Sequence, residues 1–145
     1  MPVTAAQAIQ VGMSVRFHVD TEESGGSVSV FECDVPADAR MPAPHSHDDF
    51  DETVFGLDGV TTFTVGGGHT DLNPGEALFI PRRVIHEFNN GGDVDARFLA
   101  VISPGLLGSG YFRDVAEVLA GDGPPDVEKI GEVMRRHGLT PAPPA

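Results

Sequence analysis

Residues 45–52 read HSHDDFDE and place two histidines and four carboxylates within eight residues, between apolar runs. If the chain from Ala43 to His47 is extended, His45 and His47 are two residues apart and their imidazoles project from the same face. Two such imidazoles can bind one metal ion. Glu52 then begins the next predicted strand. The stretch therefore predicts half of a metal site.

His86 is the predicted partner of this half-site, because it lies 34 residues beyond Glu52 and follows the strand-like run ALFIP at 77–81. Three imidazoles and one carboxylate suit a divalent metal from the middle or late first transition row, such as Fe, Mn, Ni, Co, Cu or Zn. The alternative is that each histidine is a surface or core residue and that the aspartates form a solvated turn. The combined pattern favours the metal site.

Two spaced motifs resemble those of the cupin superfamily. Residues 44–59 follow the pattern P-H-x-H-x4-E-x6-G, and residues 75–90 follow G-x5-P-x-R-x2-H-x3-N. The resemblance extends over about residues 28–104 and implies a compact, single-barrel cupin. Carried over to this chain, it implies that the metal ligands are His45, His47, Glu52 and His86. Arg83 stands where the second motif usually has glycine, so we expect a turn that tolerates a side chain.

The composition excludes several classes of partner. A net charge of -13 with nine basic residues argues against a nucleic-acid surface and against an anionic membrane. Cys33 is the only cysteine, so no intrachain disulfide is expected. The first ten residues lack the pattern of a secretory signal, and the sequence contains no apolar run of 18 residues. We therefore expect a cytoplasmic protein without a membrane span.

A chain of 145 residues with 18 glycines and 12 prolines predicts one domain of short strands and tight turns. The expected fold is mainly β, a single cupin barrel of the jelly-roll type with two short C-terminal helices. We assign residues 1–12 to a lead-in, 13–104 to the barrel and 105–145 to a helical tail. Asp58-Gly59 predicts a two-residue hairpin, 66–68 a turn, and 77–80 a buried strand.

In the tail, the spacing of apolar residues changes from every second residue, as in strands, to every third or fourth residue, as in helices. Apolar residues at 111, 112, 115, 118 and 119 share one helical face, and those at 127, 130, 133 and 134 repeat the pattern after Pro124-Pro125. We expect two helices that pack outside the barrel, with a frayed end from Pro141 to Ala145. Alternatively, the apolar faces of these helices cover a dimer partner or close the pocket as a lid.

The expected function is that of a metal-dependent enzyme. Among cupins, the chain most resembles the bacterial quercetin-dioxygenase type, which implies O2 and a flavonol-like, aromatic or enolic small molecule as substrates. A metal-dependent isomerase or cyclase and a non-catalytic binding protein remain open. A cupin-type transcription regulator is disfavoured, because no basic helical segment precedes the barrel. We expect a homodimer, since exposed strand edges often pair.

Glu52 is the predicted general base as well as a ligand. A weakly bound carboxylate at that position can take a proton from a substrate hydroxyl. Asp51 is the rival, but on an extended chain its side chain points to the opposite face. The sequence therefore assigns catalysis to Glu52 and predicts a solvated or supporting role for Asp51.

Overall fold

Two antiparallel sheets face each other in the computed structural model, which describes residues 7–39 and 43–143. The strands in these ranges are β1 (Ile9–Gln10), β2 (Ser14–Val19), β3 (Ser29–Val35), β4 (His45–His47), β5 (Asp51–Asp58), β6 (Thr61–Val65), β7 (Gly68–Leu72), β8 (Ala77–Ile80), β9 (His86–Asn89), β10 (Ala96–Ser103) and β11 (Leu139–Pro141). The helices are α1 (Thr21–Ser24), α2 (Ser109–Leu119) and α3 (Val127–Arg136). None of the described helices is long and apolar enough to cross a membrane.

One sheet has the strand order β1-β2-β3-β10-β5-β8, and the other has the order β11-β4-β9-β6-β7. Side chains alternate between the two faces of each strand, as the period of two requires. In β10, for example, Phe98, Ala100 and Ile102 point into the space between the sheets and are buried. The mainly β, jelly-roll fold with two short C-terminal helices is confirmed.

Aromatic side chains fill much of the interior and connect α2 to the barrel. Phe112 of α2 packs against Phe17 and Phe31, with ring centroids 5.8 and 5.2 Å apart. Phe63, Phe88 and Phe98 form a second aromatic group, with ring centroids 5.2–5.4 Å apart. Helix α2 therefore shares the core with the strands.

The predicted hairpin at Asp58-Gly59 is wrong. Strand β5 pairs with β8 and β10, whereas β6 pairs with β7 and β9, so residues 58–60 cross from one sheet to the other. Gly59 has a φ of 61°, and a Cβ there would lie 2.5 Å from the Asp95 carbonyl oxygen. The glycine is required by this crossing. The two-residue hairpin occurs instead at Gly66-Gly67, which have φ values of 57° and 86°.

Strand β8 is not a buried strand. It lies at the edge of the six-stranded sheet, where Phe79 is 56% exposed and Ile80 is fully buried. Its continuous apolar sequence resembles that of a central strand, but only one of its faces is covered.

The C-terminal tail contains a strand as well as the two predicted helices. After α3 the chain returns as β11, which pairs antiparallel with β4, and the Ala142 amide donates to the Pro44 carbonyl at 2.9 Å. The expected fraying from Pro141 is therefore wrong, although residues 144–145 lie outside the described residues. Val127 is 75% exposed, so the predicted apolar face of α3 begins only at Ile130.

Candidate metal centre

The three predicted histidine ligands lie together on the five-stranded sheet. His45 and His47 project from β4, and the pairing of β4 with β9 sets His45 directly opposite His86. The ring centroid of His86 is 4.8 Å from that of His45 and 4.5 Å from that of His47. One nitrogen from each ring lies within 4.8 Å of the other two. Strand pairing therefore accounts for this cluster.

Glu52 approaches the histidines from the opposite sheet. Its Oε1 atom lies 3.8 Å from His47 Nε2 and 3.9 Å from His86 Nε2. These separations are too long for hydrogen bonds. Two metal–ligand bonds of about 2.1 Å each can span at most about 4.2 Å, so one ion fits between the carboxylate and these two rings.

Hydrogen bonds orient two of the three rings. His86 Nδ1 lies 3.0 Å from the Val84 carbonyl oxygen, and His45 Nδ1 lies 3.3 Å from that of Ala43. A proton on each Nδ1 satisfies these contacts and leaves Nε2 with a free electron pair, as a metal-bound histidine requires. The His47 ring stacks on Phe50 with centroids 4.5 Å apart, and its buried Nδ1 has no hydrogen-bond partner among the described residues.

Burial keeps the imidazoles neutral. It lowers the pKa of His47 to about 2 and that of His45 to about 4, with the neighbouring histidines adding to both shifts. The pKa of His86 is also lowered by burial. Neutral imidazole is the form that binds a metal. Burial raises the pKa of Glu52 to about 7. The donor set therefore fits a divalent cation, whose charge would favour the ionised carboxylate.

Asp51 lies on the opposite face from Glu52, as its position in the strand predicts. Its carboxylate accepts from the Arg82 amide at 2.8 Å and from the guanidinium at 3.2 Å through each of its two oxygens. The adjacent Arg83 amide donates to the His47 carbonyl at 2.7 Å. These contacts hold the turn that carries His86.

Arg83 adopts a φ of 68°, in the left-handed region that favours glycine. The sequence predicted a turn whose backbone tolerates a side chain at this position, but the turn keeps the conformation that favours glycine. Holding Arg83 in this conformation costs about 1–2 kcal/mol. Its Nε donates to the Asp48 carbonyl at 3.3 Å, so the side chain reaches back to the loop after β4.

The histidines and Glu52 line a cavity that is otherwise mainly apolar and has a volume of about 70 Å³. Apart from Cys33 and Glu87, its other lining residues are Val11, Met13, Phe31, Phe63, Phe88, Phe98, Leu107, Tyr111, Phe112, Val115, Met134 and Leu139. Burial, together with the nearby acidic groups, raises the pKa of the Cys33 thiol well above its usual value, so it stays protonated.

Sequence analysis favoured helices that pack outside the barrel, and it gave the wall that residues 107–139 supply only as the alternative of a lid over the pocket. The apolar faces of α2 and α3 indicated that these side chains would be buried. The periodicity did not indicate what they would pack against. Tyr111, Phe112 and Met134 are buried beside the strands of the barrel and close one side of the cavity.

Comparison with known proteins identifies the fold. Residues 31–102 match the family of cupin domains, Cupin_2. No curated protein sequence matches the chain. Among solved structures, a predicted oxalate decarboxylase from Thermotoga maritima is 22% identical with a TM-score of 0.59, and the match covers 63% of this chain and 80% of that one. KdgF from Halomonas sp. is 18% identical with a TM-score of 0.58, covering 70% and 86%.

A sugar phosphate isomerase of the cupin superfamily from Silicibacter pomeroyi is 23% identical with a TM-score of 0.52. The match covers 61% of this chain and 59% of the isomerase, so this chain spans about three fifths of that protein's length. At these identities, the three structures show a shared fold. Together with the match of residues 31–102, they support a cupin domain in this chain.

Proposed function

We propose that this protein is a metal-dependent cupin enzyme, and that its reaction is the dioxygenation of a small, uncharged enol or catechol. The observation that carries the proposal is the convergence of His45, His47, His86 and Glu52 on one apolar cavity. These four residues would hold the ion. A divalent transition metal bound there would supply a Lewis acid and, if redox-active, an electron path to O2.

The charge of the cavity supports a neutral substrate. Its described lining residues include no lysine or arginine, whereas Glu52 and Glu87 are acidic. A sugar phosphate, the substrate that one of the similar structures is named for, would find no cationic side chain among these residues, and its phosphate charge would depend on the metal alone. Burying a phosphate without further charge partners is unfavourable. The apolar wall suits a molecule whose only polar groups are the oxygens directed at the histidines.

The size of the cavity favours a small substrate over a flavonol. Its volume is about 70 Å³. Pockets for drug-sized ligands have volumes of roughly 300–1,000 Å³. A flavonol would therefore have to displace the side chains of α2 or α3, whereas a single ring or an open-chain diketone requires less displacement.

In this reaction, Glu52 would accept the enol or phenol proton at a carboxylate oxygen and return it to the product. Both oxygen atoms of O2 enter the product. The bonds that are cleaved in the substrate supply the electrons that reduce O2, so no separate reductant is consumed. The apolar residues from α2, α3 and β11 would orient the carbon skeleton and exclude water.

Isomerisation or cyclisation is the second candidate, because the same position of Glu52 serves a proton transfer that needs no O2. A protein that only binds its ligand is the third.

The test of the proposed dioxygenation is oxygen uptake by metal-loaded protein with catechol, a small 1,3-diketone, a flavonol and a sugar phosphate. We expect uptake with one of the first two, absent in His86→Ala, with both atoms of labelled O2 in the product. Substrate conversion without O2 would contradict dioxygenation and favour isomerisation.

A further inference from the structure

An apolar groove lies beside the metal cavity. Residues of α2, α3, β11 and the segment that leads into β4 line it, and its volume is about 1030 Å³. Apart from Glu128 and Arg135, which are exposed, the described residues that line it are apolar or glycine. A concave, apolar surface of this size is typical of a binding site.

A single layer of side chains separates this groove from the metal cavity. Val11, Val115 and Met134 line both spaces. They are buried, with exposures of 4%, 4% and 1%. Met134 is unbranched and has three rotatable bonds, so a change of its rotamer needs no movement of the backbone. The groove is therefore the natural continuation of the cavity.

One face of α3 forms a floor for the groove. Val127, Ile130, Gly131 and Met134 line it and recur at the three- and four-residue spacing of a single helix face. From Met134, beside the cavity, to Val127, at the far end, this face covers seven residues, or about 10 Å at 1.5 Å per residue. The groove thus accounts for the exposure of Val127, which is 75% although its apolar spacing predicted burial.

Gly131 keeps the groove open. Its φ is not in the left-handed region, so the backbone does not require glycine there. A glycine inside a helix is destabilising relative to alanine. A Cβ at this position would lie 3.4 Å from Arg135 Nη1 and 3.6 Å from Pro141 Cγ, which is ordinary contact. A methyl group therefore fits, whereas a larger side chain would fill the space between α3 and β11.

We propose that the groove binds an apolar tail of the substrate, an alkyl chain attached to the enol or catechol head. This inference rests on the proposed function, because the histidine cluster would hold the head. The cavity has a volume of only about 70 Å³, so a sizeable substituent on the head has to leave it. The shared wall at Met134 leads such a substituent into the groove. An uncharged chain suits a lining whose two charged residues are exposed and opposite in sign.

The test is isothermal titration calorimetry of anaerobic, zinc-loaded protein with catechols that carry a methyl, propyl or hexyl chain. Zinc has no redox chemistry, so binding is measured without turnover. A buried methylene contributes about 0.8 kcal/mol, which corresponds to about a fourfold gain in affinity for each methylene added. We expect affinity to rise through the series in wild type.

Gly131→Leu should fill the groove and abolish the gain in affinity from propyl to hexyl. Val127→Asp is a second groove variant, in case Gly131→Leu misfolds, because an exposed side chain contributes little to folding. It should reduce the same gain. Gly110→Leu is the matched control, since Gly110 is an exposed glycine of α2 that does not line the groove. It should keep the chain-length dependence of wild type.

Equal affinity across the series in wild type would overturn the inference, as would the absence of binding by every member. A gain that both groove variants retain, or one that Gly110→Leu also loses, would overturn it too. Failure of the proposed function gives a different result, the absence of oxygen uptake with catechol. A chain-length gain that depends on Gly131, without oxygen uptake, would support the groove and contradict dioxygenation.

Discussion

The two sides of the cavity are built in different ways. The polar side consists of His45, His47, His86 and Glu52, which strands β4, β9 and β5 carry. Half of the twelve apolar lining residues come from residues 107–139, where α2, α3 and β11 close over the barrel. The register of paired strands fixes where each of these residues lies, whereas helices packed through side chains have no hydrogen-bonded register. We therefore propose that the first side holds the metal and that the second selects the substrate.

Removal of the C-terminal half of the apolar side should have the largest effect. Truncation after Pro104 deletes eight buried apolar side chains, those at 107, 111, 112, 115, 130, 133, 134 and 139. Each stabilises the fold by about 1.5–3 kcal/mol, so their combined loss is comparable to the whole stability of an ordinary domain. The truncated chain should show no cooperative thermal unfolding by circular dichroism. A cooperative transition with metal still bound would show that the C-terminal segment is only a cover.

On the polar side, Glu52→Gln should separate metal binding from catalysis. The variant should keep most of the metal on its three imidazoles but lose on the order of 100-fold or more in turnover, the usual contribution of a positioned base. Steady-state rates with a verified substrate measure this loss.

Asp51→Asn is the matched control, since Asp51 lies on the opposite face from Glu52 and an asparagine Oδ1 can still accept from the Arg82 amide that holds the turn before His86. Its turnover should stay near that of wild type. Full activity in Glu52→Gln, or an inactive Asp51→Asn, would show that the base is assigned to the wrong carboxylate.

The polar side was predictable because its chemistry depends on residue type and spacing. Two histidines two apart on a strand share a face wherever that strand lies, and Glu52 and His86 follow in the expected order. Local sequence could not distinguish a hairpin from a sheet-to-sheet crossing at Asp58-Gly59, since both need a glycine with positive φ.

The local sequence also does not show where a strand lies within a sheet. An apolar run such as residues 77–80 fits a central or an edge strand, and only the sheet order decides. Strand β11 has three residues, two of them Thr140 and Pro141, and carries no periodic signal. Its pairing with β4 arises from long-range packing of the tail. The apolar side of the cavity could therefore not be assigned from the sequence.

A smaller change on the apolar side should alter stability and selectivity together. Met134 is 1% exposed, so Met134→Ala removes a fully buried side chain and should destabilise the fold by about 2–5 kcal/mol. The enlarged cavity should improve turnover of bulkier substrates relative to small ones. Denaturant unfolding and a substrate panel measure the two effects.

Val127→Ala is the control for Met134→Ala and should change stability by no more than about 0.5 kcal/mol, because the side chain is exposed. If Met134→Ala leaves both stability and substrate preference unchanged, the assignment of α3 to the cavity wall is wrong.

The smallest predicted effect concerns the start of α2. Asp20 caps α1 and also accepts from the Ser109 amide at 3.1 Å, while Gly108, the residue before α2, provides no side-chain cap. Asp20→Ala should therefore cost about 1–2 kcal/mol in unfolding free energy at neutral pH.

The same contact should depend on pH. Burial opposes ionisation of Asp20, but the Ser109 hydroxyl and amide, with the Thr21 amide and Arg113, hold its pKa below the usual value. A carboxyl group whose pKa is lower in the folded than in the unfolded state stabilises the fold at pH values above its unfolded-state pKa, which is about 3.9 for aspartate. This stabilisation is lost as the pH falls through the folded-state pKa. The stability difference between wild type and Asp20→Ala should thus be constant at neutral pH and shrink in that acidic range. A difference that grows on acidification would contradict the capping role.

Metal content tests the central claim most directly. Purified protein, loaded with a divalent transition metal and freed of excess, should hold about one ion per chain by elemental analysis. His45→Ala, His47→Ala and His86→Ala should each lose most of it. His69→Ala, an exposed histidine that contacts Thr64, should keep it. If all three cavity variants retain the full metal content, or if wild type holds none, the histidine cluster is not a metal centre.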